Sequence, residues 1–148
     1  MKKKIIITIG IIFIGIQFVR IDKTNPIIIQ ENDFIAITNP PAEIASMLKT
    51  SCYDCHSSES KYPWYSNVAP VSWWVKDHIN EGREELNFSE WGTFSDKRKA
   101  KKIHEVLEEV EEGEMPMTPY LIIHTDAKLS PEQTENFMSW FKKLGATK

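Results

Sequence analysis

Cysteine is nearly absent from this chain, with two residues in 148, and histidine is scarce, with four. A zinc centre built from four N or S ligands would have to gather Cys52, Cys55 and His56 with one of the scattered His78, His104 and His124. Alternating strand patterns are missing too, so the C-x-x-C spacing lacks the βαβ frame in which a thioredoxin-like pair belongs. A disulfide between two cysteines so close together would close a loop too small to constrain the unfolded chain much. No internal repeat is present, and there is no basic excess: 18 Lys and Arg stand against 21 Asp and Glu, a net charge of −3. Nucleic acid is therefore not an expected partner.

What is present is concentrated in Cys52-Tyr53-Asp54-Cys55-His56. This is the spacing of c-type haem attachment. Residues three apart share one face of a helical turn, so both sulfurs can add to the two vinyl groups of one haem. His56 then stands beside the iron, for which imidazole is a good ligand. One covalently attached haem c per chain is the expected cofactor.

At the N-terminus, Lys2, Lys3 and Lys4 precede an unbroken apolar run from Ile5 to Ile16, extended by Phe18 and Val19. Counted to Ile21 this reaches the lower limit for a membrane-spanning helix, and residues 1–21 are expected to be a signal anchor or signal peptide. Gln17, Phe18, Val19 and Arg20 are bulky where a signal peptidase wants small side chains, so an uncleaved anchor is favoured. The lysines would stay on the cytoplasmic side. The rest would lie on the periplasmic side of the inner membrane, where haem is attached to such motifs in bacteria. All 21 acidic residues follow Ile21, against 14 of the basic ones, leaving that part near −7. Residues 22–40, with Asn25-Pro26 and Asn39-Pro40-Pro41, read as an extended tether, and residues 41–148 as one domain.

Four helices are expected in that domain. The first, about Pro41 to Ser51, has the stripe Ile44, Met47, Leu48 and Ser51 and delivers the chain to Cys52. The second starts near Pro70, with Val71, Trp74, Val75, His78 and Ile79 on one face before Gly82 weakens it. A third begins at the N-cap Ser95, carries Ile103, Val106, Leu107 and Val110, and ends at Gly113. The fourth opens with Ser130, Pro131 and Gln133, a capping box with proline at N1. It presents Phe137, Trp140, Phe141 and Leu144, with Gly145 as its stop. The expected fold is an all-α, cytochrome c-like bundle of about four short helices around the haem, behind an N-terminal membrane segment.

A short helix entering C-x-x-C-H, a late loop offering methionine and a terminal helix with an aromatic stripe resemble the class I cytochromes c. The resemblance implies that the first and last helices pack, that His56 is the proximal ligand, and that Met115, followed by Pro116, is the distal one. It also implies a backbone carbonyl in the loop 63–70 as acceptor for the second imidazole nitrogen. More narrowly, Tyr62-Pro63-Trp64-Tyr65-Ser66, Pro70-Val71-Ser72-Trp73-Trp74, Phe88-Ser89-Glu90-Trp91 and Gly113-Glu114-Met115-Pro116 resemble a family of small bacterial haem-binding domains with one such motif behind a membrane anchor.

From the residues themselves, Gly113, Pro116 and Pro119 stiffen the loop that would present Met115. Met117 and His78 are the competing sixth ligands, although a histidine in an apolar stripe is more often a core residue bonded to a carbonyl. His104 reads as solvated surface and His124 as a loop hydrogen-bonder. Of the tryptophans, Trp74 shares the apolar stripe and is expected to contact porphyrin. The expected function is one-electron transfer between redox proteins, after maturation by haem attachment machinery, and not an enzyme activity. The alternatives are a cytochrome-type haem peroxidase, with Arg83 or His78 at the distal side, or a haem-based sensor or accessory module of a membrane redox complex.

Overall fold

A computed structural model describes residues 1–146; Thr147 and Lys148, the end of the expected domain, lie outside it. The described residues are all-helical with no strand, as expected, and hold eight α-helices, six of them in the domain from residue 41 on where about four were expected: α1 (Lys2–Ile16), α2 (Phe34–Thr38), α3 (Ala42–Ser51), α4 (Tyr53–His56), α5 (Val71–Glu85), α6 (Asp96–Glu112), α7 (Thr118–Ile123) and α8 (Pro131–Ala146).

The expected membrane segment is overturned. No helix among the described residues is long and apolar enough to cross a membrane. At 1.5 Å per residue, the 15 residues of α1 reach about 22 Å against a hydrocarbon core of about 30 Å. The domain takes hold of the residues that follow it. Gln17 exchanges two hydrogen bonds with the backbone of Ala69, Nε2 donating to its carbonyl at 3.0 Å and Oε1 accepting from its N–H at 3.0 Å. The Trp73 indole donates to the Val19 carbonyl at 2.9 Å. These contacts hold the chain that follows α1 against the domain.

The segment 22–40 also departs from a plain tether. Asp33 caps α2 by accepting from Ile35 N–H at 2.9 Å, and the next residue, Phe34, is fully buried at the centre of the core. Its ring makes edge contacts with Phe88 and Trp91, at centroid distances of 5.1 and 4.8 Å, and stacks on Phe141 at 5.7 Å. The 3-10 turn Phe88–Thr93 buries Phe88, Ser89 and Trp91 against α2. Around this cluster stand Ile44, Met47 and Leu48 from α3, as their spacing predicts, and Phe137 and Phe141 from α8.

The long helices begin where their caps stand. Ser95 Oγ accepts from Arg98 N–H, and α6 ends on Gly113 in the left-handed region at φ 77. At α8 the capping box closes both ways, Gln133 N–H to Ser130 Oγ at 3.2 Å and Ser130 N–H to Gln133 Oε1 at 2.9 Å. Gly145 is not the stop it was expected to be. It lies inside α8, and a Cβ there would come within 3.2 Å of Ile103 Cγ2, so the missing side chain permits the close approach of α6 and α8. The last helix packs mainly on α6 and touches α3 only lightly, unlike the first-to-last pairing that the class I resemblance implies.

In α5 the buried face is Ser72, Ile79 and Gly82. Val71 and Trp74, expected inside, are each 43 % exposed. The helix continues through Gly82 for another turn.

Phe34 gives the direct check on this core. Replacing a buried phenylalanine by alanine removes its transfer energy and leaves a cavity, a loss of about 3–5 kcal/mol. Phe34→Ala is therefore expected to lower the unfolding free energy by that amount in chemical denaturation, an effect a solvated tether residue would not have.

Candidate functional site

The site starts where α3 ends. Cys52 closes α3 through its N–H to the Leu48 carbonyl, and its own carbonyl accepts from Cys55 N–H at 3.2 Å and His56 N–H at 2.9 Å. That single tight turn, α4, gathers Cys52, Cys55 and His56 on the wall of one cavity. Both thiols are free. Burial, with the neighbouring Cys55, pushes the Cys52 thiol up to about 12, and burial beside Asp54 pushes Cys55 up to about 11. Both sulfurs therefore carry their protons at neutral pH, which keeps them inert toward oxidants that attack thiolates.

His56 is held from behind. Its Nδ1 lies 2.9 Å from the Gly82 carbonyl and 3.1 Å from the Leu86 carbonyl. A carbonyl only accepts, so Nδ1 bears the proton and Nε2 keeps a lone pair for a metal. Burial holds the pKa of the imidazole below its ordinary value, favouring this neutral form. The acceptor was expected in the loop 63–70; it is the last turn of α5 instead. Gly82 explains the difference, since a Cβ at that position would meet the Cys55 carbonyl oxygen at 3.1 Å. Only glycine lets the α5 backbone come this close to the motif.

Neighbouring side chains lock the same junction. Arg83 donates to the Ser57 carbonyl at 2.8 Å, to Ser60 Oγ at 2.9 Å and to Asn25 Oδ1 at 2.7 Å, fixing the chain as it leaves the motif. Tyr53 stacks on Phe88 at 5.3 Å and donates to the Asp33 carboxylate at 3.2 Å. Tyr120 from α7 donates to Asp54 Oδ2 at 2.9 Å, tying α7 to the middle of the motif. Burial, then Asp54, raise the pKa of its phenol, so it stays a donor.

The cavity has a volume of about 700 Å³, within the usual range for small-molecule sites. Leu86, Phe88, Val106, Val110, Leu129 and Phe137 form its apolar walls. The chain leaving α6 turns back, the N–H groups of Glu114 and Met115 both reaching the Glu109 carbonyl, at 3.0 and 3.1 Å. This return places Met115, Pro116 and Met117 on the cavity wall together. His78 also lines it, with Nδ1 2.9 Å from the Trp74 carbonyl.

Trp74 does not line the cavity; its ring lies 4.1 Å from that of His78 and is largely exposed. The aromatic walls come instead from Phe88, Phe137 and Tyr120. Phe137 was legible as a core residue of its stripe, while Phe88 and Tyr120 lie in short elements with no period to mark them. Arg83 is absent from the lining. His104 is exposed, as expected, and His124 hydrogen-bonds the Tyr65 hydroxyl at 2.5 Å, also as expected. The lining is acidic, with Glu81, Glu85, Glu105, Glu108, Glu109 and Glu114 on it and, among the described residues, Lys102 as its only lysine or arginine.

This donor set suits one kind of group. Among the described residues, no three His, Cys, Asp or Glu side chains are grouped to hold a bare metal ion. A flat, apolar macrocycle carrying its own iron fits better: two reduced thiols, a neutral imidazole and two thioethers line one cavity together with aliphatic and aromatic side chains. Comparison with known proteins agrees. The model of a haem-binding domain family matches residues 11–143. No curated protein and no solved structure matches the chain. Since that match spans nearly the whole sequence and contains every cavity residue named above, the chain belongs to the haem-binding domain family.

Proposed function

We propose that the chain carries one haem c, joined through Cys52 and Cys55, with His56 and Met115 as axial ligands, and that it passes single electrons between redox proteins on the extracytoplasmic side. The observation that carries this reading is the convergence of both free thiols, the back-bonded imidazole and Met115 on one apolar cavity. Attachment adds each S–H across a carbon–carbon double bond, so the sulfurs have to arrive reduced and unpaired. The extracytoplasmic side is where C-x-x-C-H sequences receive haem in bacteria, and it implies the attachment machinery as a maturation partner.

The bound group supplies one-electron chemistry at iron, and the chain sets its terms. The Gly82 and Leu86 carbonyls orient His56 and raise its basicity as a ligand. Methionine sulfur raises the potential relative to a second histidine, while the carboxylates of the lining favour the more positive, oxidised state. Filling the cavity excludes water from the iron. A peroxidase reading would place Arg83 or His78 at the distal side; the guanidinium of Arg83 is already committed to Ser57, Ser60 and Asn25, and His78, which lines the cavity, has Nδ1 on the Trp74 carbonyl. The electron-carrier reading is the better supported.

Three outcomes are expected. Protein made with haem attachment machinery will retain haem on a denaturing gel and give a pyridine haemochrome spectrum, and the double variant Cys52→Ala, Cys55→Ala will lose the stained band. Met115→Ala will abolish the weak long-wavelength absorption of iron bound to thioether sulfur, whereas Met117→Ala and His78→Ala will keep it; a wild type without that band refutes the methionine. Gly82→Ala will force Cys55 and the α5 backbone apart by a few tenths of an ångström. Overpacking of this kind costs about 1–3 kcal/mol, more than the roughly 1 kcal/mol of helix propensity gained, so melting will occur at lower temperature and haem yield will fall.

A further inference from the structure

Lys102 has no role in the reading above. It is 8 % exposed, yet it lines the cavity. Two carboxylates reach it: Glu105 Oε2 at 2.7 Å, within α6, and Glu85 Oε2 at 3.3 Å, from the end of α5. They are not equivalent. The Glu85 side chain is 74 % exposed and its contact lies at the long end of hydrogen bonding, so it is easily exchanged. Burial works against the charge of Lys102, but Glu105 and Glu85 outweigh it and leave the pKa above the ordinary lysine value.

The register of α6 adds a second observation. Lys102, Val106 and Val110 recur every four residues and all line the cavity. They lay out a cation and then two apolar turns over about 12 Å, with Met115 just past the helix end. Haem has the same order of chemistries: carboxylates along one edge, an apolar ring, and iron within it.

We propose that Lys102 anchors a carboxylate of the bound haem, which takes the place of Glu85 on the ammonium while Glu105 holds that ammonium in position. This rests on the haem reading above. An ammonium has three donors, and the exposed Glu85 returns to solvent with little loss. The competing role is a plain bridge between α5 and α6.

The test compares two ligands on the full chain produced without attachment machinery: haem, and haem whose two carboxylates are methyl esters. Dissociation constants are read by absorbance titration, with thermal melts of the unliganded variants alongside. Wild type is expected to prefer haem over its diester by about tenfold or more, the worth of one charge-assisted hydrogen bond. Lys102→Gln will bring that ratio to within about twofold, Lys102→Arg will keep most of it, and Glu85→Gln will keep or increase it. Lys102→Met, which retains the apolar stem, replaces the glutamine variant if that one does not fold. A ratio in Lys102→Gln equal to that of wild type overturns the anchor, as does a wild type that ignores esterification. Melting points lowered alike in Lys102→Gln and Glu85→Gln, with an unchanged ratio, would mark the bridge alone. A wild type that binds neither ligand overturns the anchor, and the haem reading falls with it only if protein made with attachment machinery also retains no haem.

Discussion

The hydrogen bond from His56 Nδ1 to the carbonyl ending of α5 is the contact on which the arrangement depends. It fixes the tautomer, aims the free nitrogen and couples the four-residue helix α4 to a helix of 15 residues. A single turn has almost no stability of its own, because nucleation costs more than one hydrogen bond returns. It persists because it is clamped on three sides: Gly82 and Leu86 behind the imidazole, Arg83 on the outgoing chain, and Tyr120 on Asp54. Each clamp acts on a different residue of the motif or its exit, so the motif has little freedom to rotate as a unit.

The core serves the same end. Phe34, Phe88 and Tyr53 form a continuous aromatic layer, with Tyr53 lying in the motif itself between the two cysteines. The segment ahead of α3 therefore supplies the ring at the centre of the packing and, through Asp33, the acceptor for the Tyr53 hydroxyl. Support for the site comes from the chain on both sides of the motif.

Much of this could be read from residues alone, and the boundary is physical. The motif from Cys52 to His56 was legible because the chemistry proposed for it demands a fixed spacing. The caps at Ser95 and Ser130 and the stripes of α3 and α6 were legible because they are local patterns with a period of 3.6. Phe34 was not, since α2 has only five residues and no period emerges from so few. The end of α1 was missed for the opposite reason: the apolar run continues past it to Val19, and local hydropathy carries no trace of the contact that Gln17 makes with Ala69, 52 residues away. Gly82 and Gly145 both read as helix breakers, and both are contact glycines, a meaning that depends on which backbone lies opposite. The imidazole acceptor, assigned by analogy to the wrong loop, shows how far family likeness reaches: it identifies the ligand and leaves its support to the particular packing.

Val106 and Val110 share a helix face with Ile103, yet they line the cavity while Ile103 is buried against α8. Part of the apolar stripe of α6 is thus a wall that, on the proposed reading, the cofactor covers. Covering that wall adds to the nonpolar area that unfolding must expose, and exposed nonpolar area is what raises heat capacity. The loaded protein will have a more sharply curved dependence of stability on temperature than the empty one, so the two forms will differ in how they respond to cooling as well as to heat.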